Sequence, residues 1–216
     1  MRVFLAGATG VIGIRLIPLL VGAGHEVAGM TRSHDKTTQI EALGARPVIC
    51  DVFDTASLLD AVSAFAPDLV MHQLTDLPDE RDEIPGYAEA NNRIRTEGTR
   101  NLLTAAAAAG AGRFLAQSIA WTPSGNGDAV AEHERRVLDA GGVVLRYGQL
   151  YGPGTYYPDD LPAPPRIHVD DAAGRTIAVL DAPSGIVVLA DEDDWPSNLG
   201  EFHRSVHGPG HDDRCC

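Results

Sequence analysis

Glycines near the start of the chain carry its clearest chemistry. Gly7-Ala8-Thr9-Gly10-Val11-Ile12-Gly13 stands between a short apolar run, Arg2–Ala6, and an amphipathic stretch, Val11–Val21. A strand that turns through such a loop into a helix offers free backbone N–H groups and the positive end of a helix dipole, and phosphate is the ligand that suits them. Gly7 would allow the tight turn, Gly10 the close approach of a pyrophosphate, and Gly13 the packing of helix on strand. Thr9, Val11 and Ile12 complete the loop's candidate contacts. The next apolar run ends in Met30-Thr31-Arg32-Ser33. A carboxylate at that place grips a ribose 2′-hydroxyl, whereas Arg32, with Ser33 beside it, suits a 2′-phosphate. That favours NADP, with NAD as the alternative should Asp35 reach the ribose. Asp51, followed by Val52, could accept a hydrogen bond from an adenine amino group or could close a turn.

These residues need a scaffold, and the pattern supplies one. Strand-length runs at Arg2–Ala6, His25–Met30, Pro47–Cys50, Asp68–Gln73, Arg113–Ser118, Gly142–Tyr147 and Gly185–Ala190 alternate with helix-length stretches. The helices are expected over Val11–Val21, with a kink at Pro18, then Lys36–Leu43, a stretch from Asp54 to about Phe65, a long helix Tyr87–Gly110, Val130–Ala140 and Asp170–Leu180. Alternation of this kind predicts an α/β fold with a doubly wound, mostly parallel Rossmann-type sheet and the ligand crevice at the carboxyl ends of its strands. Residues 1–200 read as one dinucleotide-binding domain whose substrate-side elements lie at about 148–200 and form a reduced region. Residues 201–216 read as a polar, disordered tail. Thr122–Asp128 and Tyr151–Pro165 read as loops.

Composition excludes several classes. A formal net charge of −13 without a Lys/Arg cluster argues against nucleic acid and against anionic membranes. Cys50 reads as a buried thiol, and Cys215 and Cys216 at the tail make no disulfide framework, so a reducing cytoplasm is the expected location. No leader-like or bilayer-length apolar run is visible. His203 and His207 have helical metal-ligand spacing, but Gly208-Pro209-Gly210 breaks the helix before His211, and no metal is expected. Asp191-Glu192-Asp193-Asp194 reads as a solvated acidic loop.

The spacing Gly-x-x-Gly-x-x-Gly resembles that of the short-chain dehydrogenase/reductase superfamily. Further segments resemble its extended or atypical, epimerase/dehydratase-like branch: Asp51-Val52, Asn92 to Leu102, Arg113 to Ser118, Leu145 to Gly154, and His168 to Ala173. They run in family order to about residue 195. The resemblance implies a Rossmann-type fold, a nicotinamide cofactor, Asp51 at the adenine, Asp170 as a helix cap, and pairing into a homodimer through the long helix.

One departure bears on mechanism. The superfamily uses a Tyr and, four residues later, a Lys to move a proton and hold the ribose. The corresponding window, Ala120–Arg136, contains neither, and Lys36 is the chain's only lysine. The remaining candidates for the reacting centre are Ser118, Tyr147 and Tyr151, with Gln73 and Thr75 facing the nicotinamide ribose. The expected activity is NADP-dependent reduction of a ketone on a small or mid-sized, polyketide-like metabolite. The alternatives are a non-catalytic dinucleotide-binding sensor and a nucleotide-sugar epimerase or dehydratase.

Overall fold

The computed structural model describes residues 1–122 and 127–191. The acidic run beyond Asp191, the tail 201–216 with its histidines and cysteines, and most of the Thr122–Asp128 loop lie outside the described residues.

The sheet holds seven parallel strands in the order β3-β2-β1-β4-β5-β6-β9. They are β1 (Arg2–Ala6), β2 (Glu26–Thr31), β3 (Arg46–Ile49), β4 (Leu69–His72), β5 (Arg113–Ile119), β6 (Val143–Tyr147) and β9 (Gly185–Leu189). Two short strands, β7 (Gln149–Tyr151) and β8 (Arg166–His168), pair separately. The chain order reverses beside β1, where β2 lies on one side and β4 on the other, in register at Val3↔Val27 and Val3↔Leu69. The glycine loop leaves β1 at this point, so the crevice opens above it.

Helices cover both faces because the strands are apolar on both sides. α1 (Gly13–Gly22), α2 (Thr37–Ala42) and α7 (Val169–Ala178) pack over Leu5, Met71, Leu115 and Leu145. α3 (Thr55–Phe65), α4 (Ala88–Arg93), α5 (Thr99–Ala108) and α6 (Gly127–Asp139) lie on the opposite face, over Phe4, Val70, Ala116 and Val144. Asp54 caps α3 as expected, its Oδ1 accepting from the Ser57 amide at 3.1 Å. Cys50 is the buried thiol its surroundings imply, and burial pushes its pKa up to about 11.

Local details differ from the sequence reading for physical reasons. α1 runs unbroken through Pro18, where a kink or a loosened turn is expected. Pro18 and Leu19 lie on the exposed face, so the carbonyl deprived of its donor is on the solvent side. The long helix over Tyr87–Gly110 is a composite. A 3-10 stretch, Arg81–Tyr87, leads into α4, a π-helical turn follows at Ile94–Gly98, and α5 continues to Ala108. The cap of α7 is His168 rather than Asp170. His168 Nδ1 accepts from the Asp170 amide at 3.3 Å, while the Asp170 carboxylate receives Arg15 Nε of α1 at 2.6 Å. The loop expected over Tyr151–Pro165 is bracketed by β7 and β8. None of the helices described is long and apolar enough to cross a membrane.

Candidate active site

The glycine loop is shaped for a phosphate. Gly7 has φ +94°, and a Cβ there would lie 2.6 Å from the carbonyl carbon and oxygen of Gln73. A Cβ on Gly13 would lie 2.1 Å from the Gly7 carbonyl oxygen. Both positions therefore exclude a side chain on internal grounds. Gly10 differs: its Cβ would meet nothing closer than the Gly7 oxygen at 3.4 Å, so any demand for glycine there comes from a ligand. Gly10 donates to Gly7 and accepts from Ile14, but the amides of Val11 and Ile12 have no backbone partner among the described residues. The first turn of α1 carries no acidic residue. Free amides, a helix N-terminus and no competing carboxylate fit the pyrophosphate of a dinucleotide.

Around this loop the other expected contacts take up positions. Arg32 leaves the tip of β2 half-exposed and reaches Asp76, in the loop after β4, at 3.4 Å. Ser33 donates its amide to Thr31 Oγ1 at 3.2 Å. Asp51 is exposed and closes a turn, its Oδ1 accepting from the Phe53 amide at 2.9 Å. Val52 is buried, and its carbonyl accepts from Asn101 Nδ2 of α5 at 3.0 Å. Asn101 thus fixes the turn between β3 and α3, a role that no isolated asparagine in a helix signals. Gln73 turns its amide inward to the Tyr147 hydroxyl at 3.3 Å, so Thr75 is the exposed side chain of that pair.

The three hydroxyls considered for the reacting centre are separated by the fold. Ser118 lies on the α6 side of β5, 3% exposed, and donates to Glu134 Oε1 at 2.6 Å. Tyr147 lies on the α7 side of β6. The Thr176 hydroxyl gives its own proton to the Ala172 carbonyl at 2.7 Å, so at 2.6 Å it must accept from Tyr147. Burial pushes the Tyr147 pKa up to about 12. Tyr151 donates to Asp191 Oδ2 at 3.1 Å; burial and then this carboxylate raise its pKa. Each proton is already given to an acceptor inside the protein.

Two buried polar groupings lie beside Ser118, and sequence reasoning missed both. In the first, Glu134 of α6 receives Arg146 of β6 through both oxygens, at 2.9 and 2.5 Å. Burial alone would raise the Glu134 pKa, but Arg146 and Ser118 outweigh it and hold the carboxyl below its usual range. The second is a directed chain. The Leu74 amide donates to His72 Nδ1 at 3.2 Å, His72 Nε2 to Thr99 Oγ1 at 3.1 Å, Thr99 to His133 Nδ1 at 2.7 Å, and His133 Nε2 to the Gln117 carbonyl at 2.9 Å. An amide at one end and a carbonyl at the other leave one consistent direction, with both histidines neutral. Burial depresses both basicities, for His72 assisted by His133 and by Arg95.

A parallel doubly wound sheet with a phosphate loop at its switch point is the architecture of a dinucleotide-binding protein. A sequence profile of the NAD dependent epimerase/dehydratase family matches residues 3–132, and the chain belongs to that family. It is 38% identical to a 3-diazoavenalumate denitrifying reductase of a Streptomyces species, across 97% of this chain and 83% of the relative. It is also similar to a 4-hydroxy-2-methyl-3-oxo-4-farnesyl-3,4-dihydroquinoline-1-oxide ketoreductase of Stigmatella aurantiaca, 32% identical over 37% of this chain and 28% of that one. Among solved structures, the UDP-glucose 4-epimerase of Thermus thermophilus in complex with NAD superposes with a TM-score of 0.71. It is 20% identical, over 88% of this chain and 78% of that one, a likeness of fold. The chain is an NAD(P)-dependent oxidoreductase.

Proposed function

We propose that the enzyme is an NADPH-dependent reductase of a small aromatic or polyketide-like electrophile whose reduction takes no proton from the protein. The observation that carries this reading is the commitment of the Ser118, Tyr147 and Tyr151 protons to Glu134, Thr176 and Asp191. A ketone becomes an alcohol only when a proton reaches its oxygen. A diazonium group differs, because it is already cationic: hydride addition at its terminal nitrogen and loss of N2 leave the arene with no net proton required. The similarity to a 3-diazoavenalumate denitrifying reductase supports a diazo substrate. The shorter match to a ketoreductase supports the second reading, a ketone protonated by water.

When bound, the reduced nicotinamide supplies the hydride. In this reading the amides of Val11 and Ile12, with Gly7, Thr9, Gly10 and Gly13, hold the pyrophosphate. Asp51 and Val52 border the adenine, and Arg32 with Ser33 meets the 2′-phosphate once Arg32 leaves Asp76. Thr75, Ser118 and Tyr151 border the reacting centre, and Ser118, its proton given to Glu134, offers lone pairs only.

The test is a titration with NADPH and NADH, followed by assays against an arenediazonium salt and a ketone panel. NADPH consumption above the protein-free rate, with N2 release, is expected with the diazonium salt. Turnover of ketones alone would support the second reading. Tight NADPH binding without turnover of either class would favour a non-catalytic binding protein, and binding of neither nucleotide would end both reductase readings.

A further inference from the structure

Among the described residues, Arg95 is a cation whose guanidinium makes no hydrogen bond or ion pair, and Glu134 attracts it only at a distance. It stands in the π-helical turn Ile94–Gly98, an irregularity that proteins place at functional sites more often than elsewhere. Its side chain is half-buried, and none of the hydrogen bonds or ion pairs found among the described residues uses its guanidinium. The groups facing it are Glu134 and His133 of α6 and His72 of β4. Glu134 attracts Arg95, but that charge is shared with Arg146 and does not outweigh burial. Glu134 is held through both oxygens by Arg146 and takes the Ser118 proton, and both histidines are neutral members of the directed chain. The local sum is one uncompensated positive charge, and burial accordingly loosens the hold of Arg95 on its own proton.

A guanidinium withdrawn from water with no partner costs stability unless its counter-ion arrives with a ligand. The place fits a ligand. His72 ends β4, and Ser118 stands one residue from the end of β5, so Arg95 lies at the carboxyl ends of the strands, on the crevice side. The planar fork of a guanidinium matches the two oxygens of a carboxylate. We propose that Arg95 is the anchor for a carboxylate group of the substrate, holding the molecule with its reducible end toward the cofactor crevice beside Ser118. The proposal rests on the reductase reading for the word substrate, but binding alone tests it.

The experiment uses the full chain saturated with NADPH, wild type alongside Arg95→Met and Arg95→Lys. The probes are benzoate, trans-cinnamate, cinnamate methyl ester and inorganic phosphate, read by melting temperature and fluorescence titration. An arylcarboxylate is expected to bind wild type and to lose about a hundredfold in affinity in Arg95→Met, the scale for truncating one partner of a buried charge pair. Arg95→Lys should recover part of the loss, and the methyl ester should not distinguish the proteins. Without ligand, Arg95→Met should melt no lower than wild type, because the guanidinium removed made no hydrogen bond or ion pair and its burial outweighed the attraction of Glu134. Equal arylcarboxylate affinity in wild type and Arg95→Met would overturn the proposal, as would phosphate binding as well as cinnamate. Turnover of uncharged electrophiles with no arylcarboxylate binding would overturn the anchor and leave the reductase reading standing. Arylcarboxylate binding that depends on Arg95, with no turnover of any electrophile, would uphold the anchor and remove the reductase reading.

Discussion

At the scale of single residues, the buried histidines make the fold sensitive to acid. His72 and His133 stay neutral because protonating either Nδ1 would set donor against donor, with the Leu74 amide in one case and the Thr99 hydroxyl in the other. Above pH ~6.5, folded and unfolded chains both carry neutral histidines and the pair contributes nothing to pH dependence. Below it the unfolded chain takes up protons that the folded one refuses, so stability falls as the pH drops, at up to about 1.4 kcal/mol per pH unit for each histidine. Urea midpoints between pH 7.5 and 5 should show this slope, and His133→Asn should flatten it while lowering the starting value. A steep slope preserved in that variant would assign the acid sensitivity elsewhere. Gly13→Ala should cost about 1–3 kcal/mol by overpacking, and should also abolish nucleotide binding, because the loop must open to admit the methyl group. The glycine loop was legible in sequence because its constraint is local. The histidine chain was not: it joins single residues of β4, α5 and α6 that share no spacing, and only the packed fold brings them together.

At the scale of elements, the Glu134–Arg146 pair ties α6 to β6, and its two ends are unequal. The Glu134 side chain is 9% exposed and that of Arg146 37%. Arg146→Met takes both hydrogen bonds from a buried carboxylate, leaving only the more distant Arg95, and should cost about 3 kcal/mol, whereas Glu134→Gln leaves a guanidinium that water can reach and should cost about 1 kcal/mol. Chemical denaturation of the two variants checks the order, and the reverse order would place the buried charge on the arginine. Pro18 offers a gain. It sits within α1 on the exposed face, so Pro18→Ala restores a helical hydrogen bond without disturbing the core and should stabilise the protein by about 1–3 kcal/mol. Strand positions were legible because a parallel sheet buried on both faces writes itself as apolar runs. The interruption of the Tyr87–Gly110 helix was not, because a π turn keeps the helical pattern and shifts it by one residue.

At the scale of the whole molecule, the doubly wound sheet followed from the alternation of strands and helices, and the site at its switch point from the loop that leaves β1. The catalytic plan was legible only in part, because lost residues show what is absent and the packed fold shows which protons are already bound. We propose that the chain pairs as a homodimer through α3 and α5, which lie side by side on one face of the sheet. Light scattering on the purified protein checks this, and a monomeric mass would remove it. Binding of NADPH at a hundredfold its dissociation constant should stabilise the fold by about 2.7 kcal/mol. Finally, the loops beyond β4 and β7 touch across the crevice mouth: Tyr156 gives its hydroxyl proton to the Pro78 carbonyl, and Arg81 lies over the Tyr157 ring at 4.6 Å. One hydrogen bond and one cation–π contact together hold on the order of 2 kcal/mol, a fastening that by itself would leave the loops apart in about one molecule in thirty. A fastening of that strength sorts arrivals by time as well as by shape: a bulky substrate waits for the rare opening, a compact one does not, and solvent viscosity would slow the first more than the second.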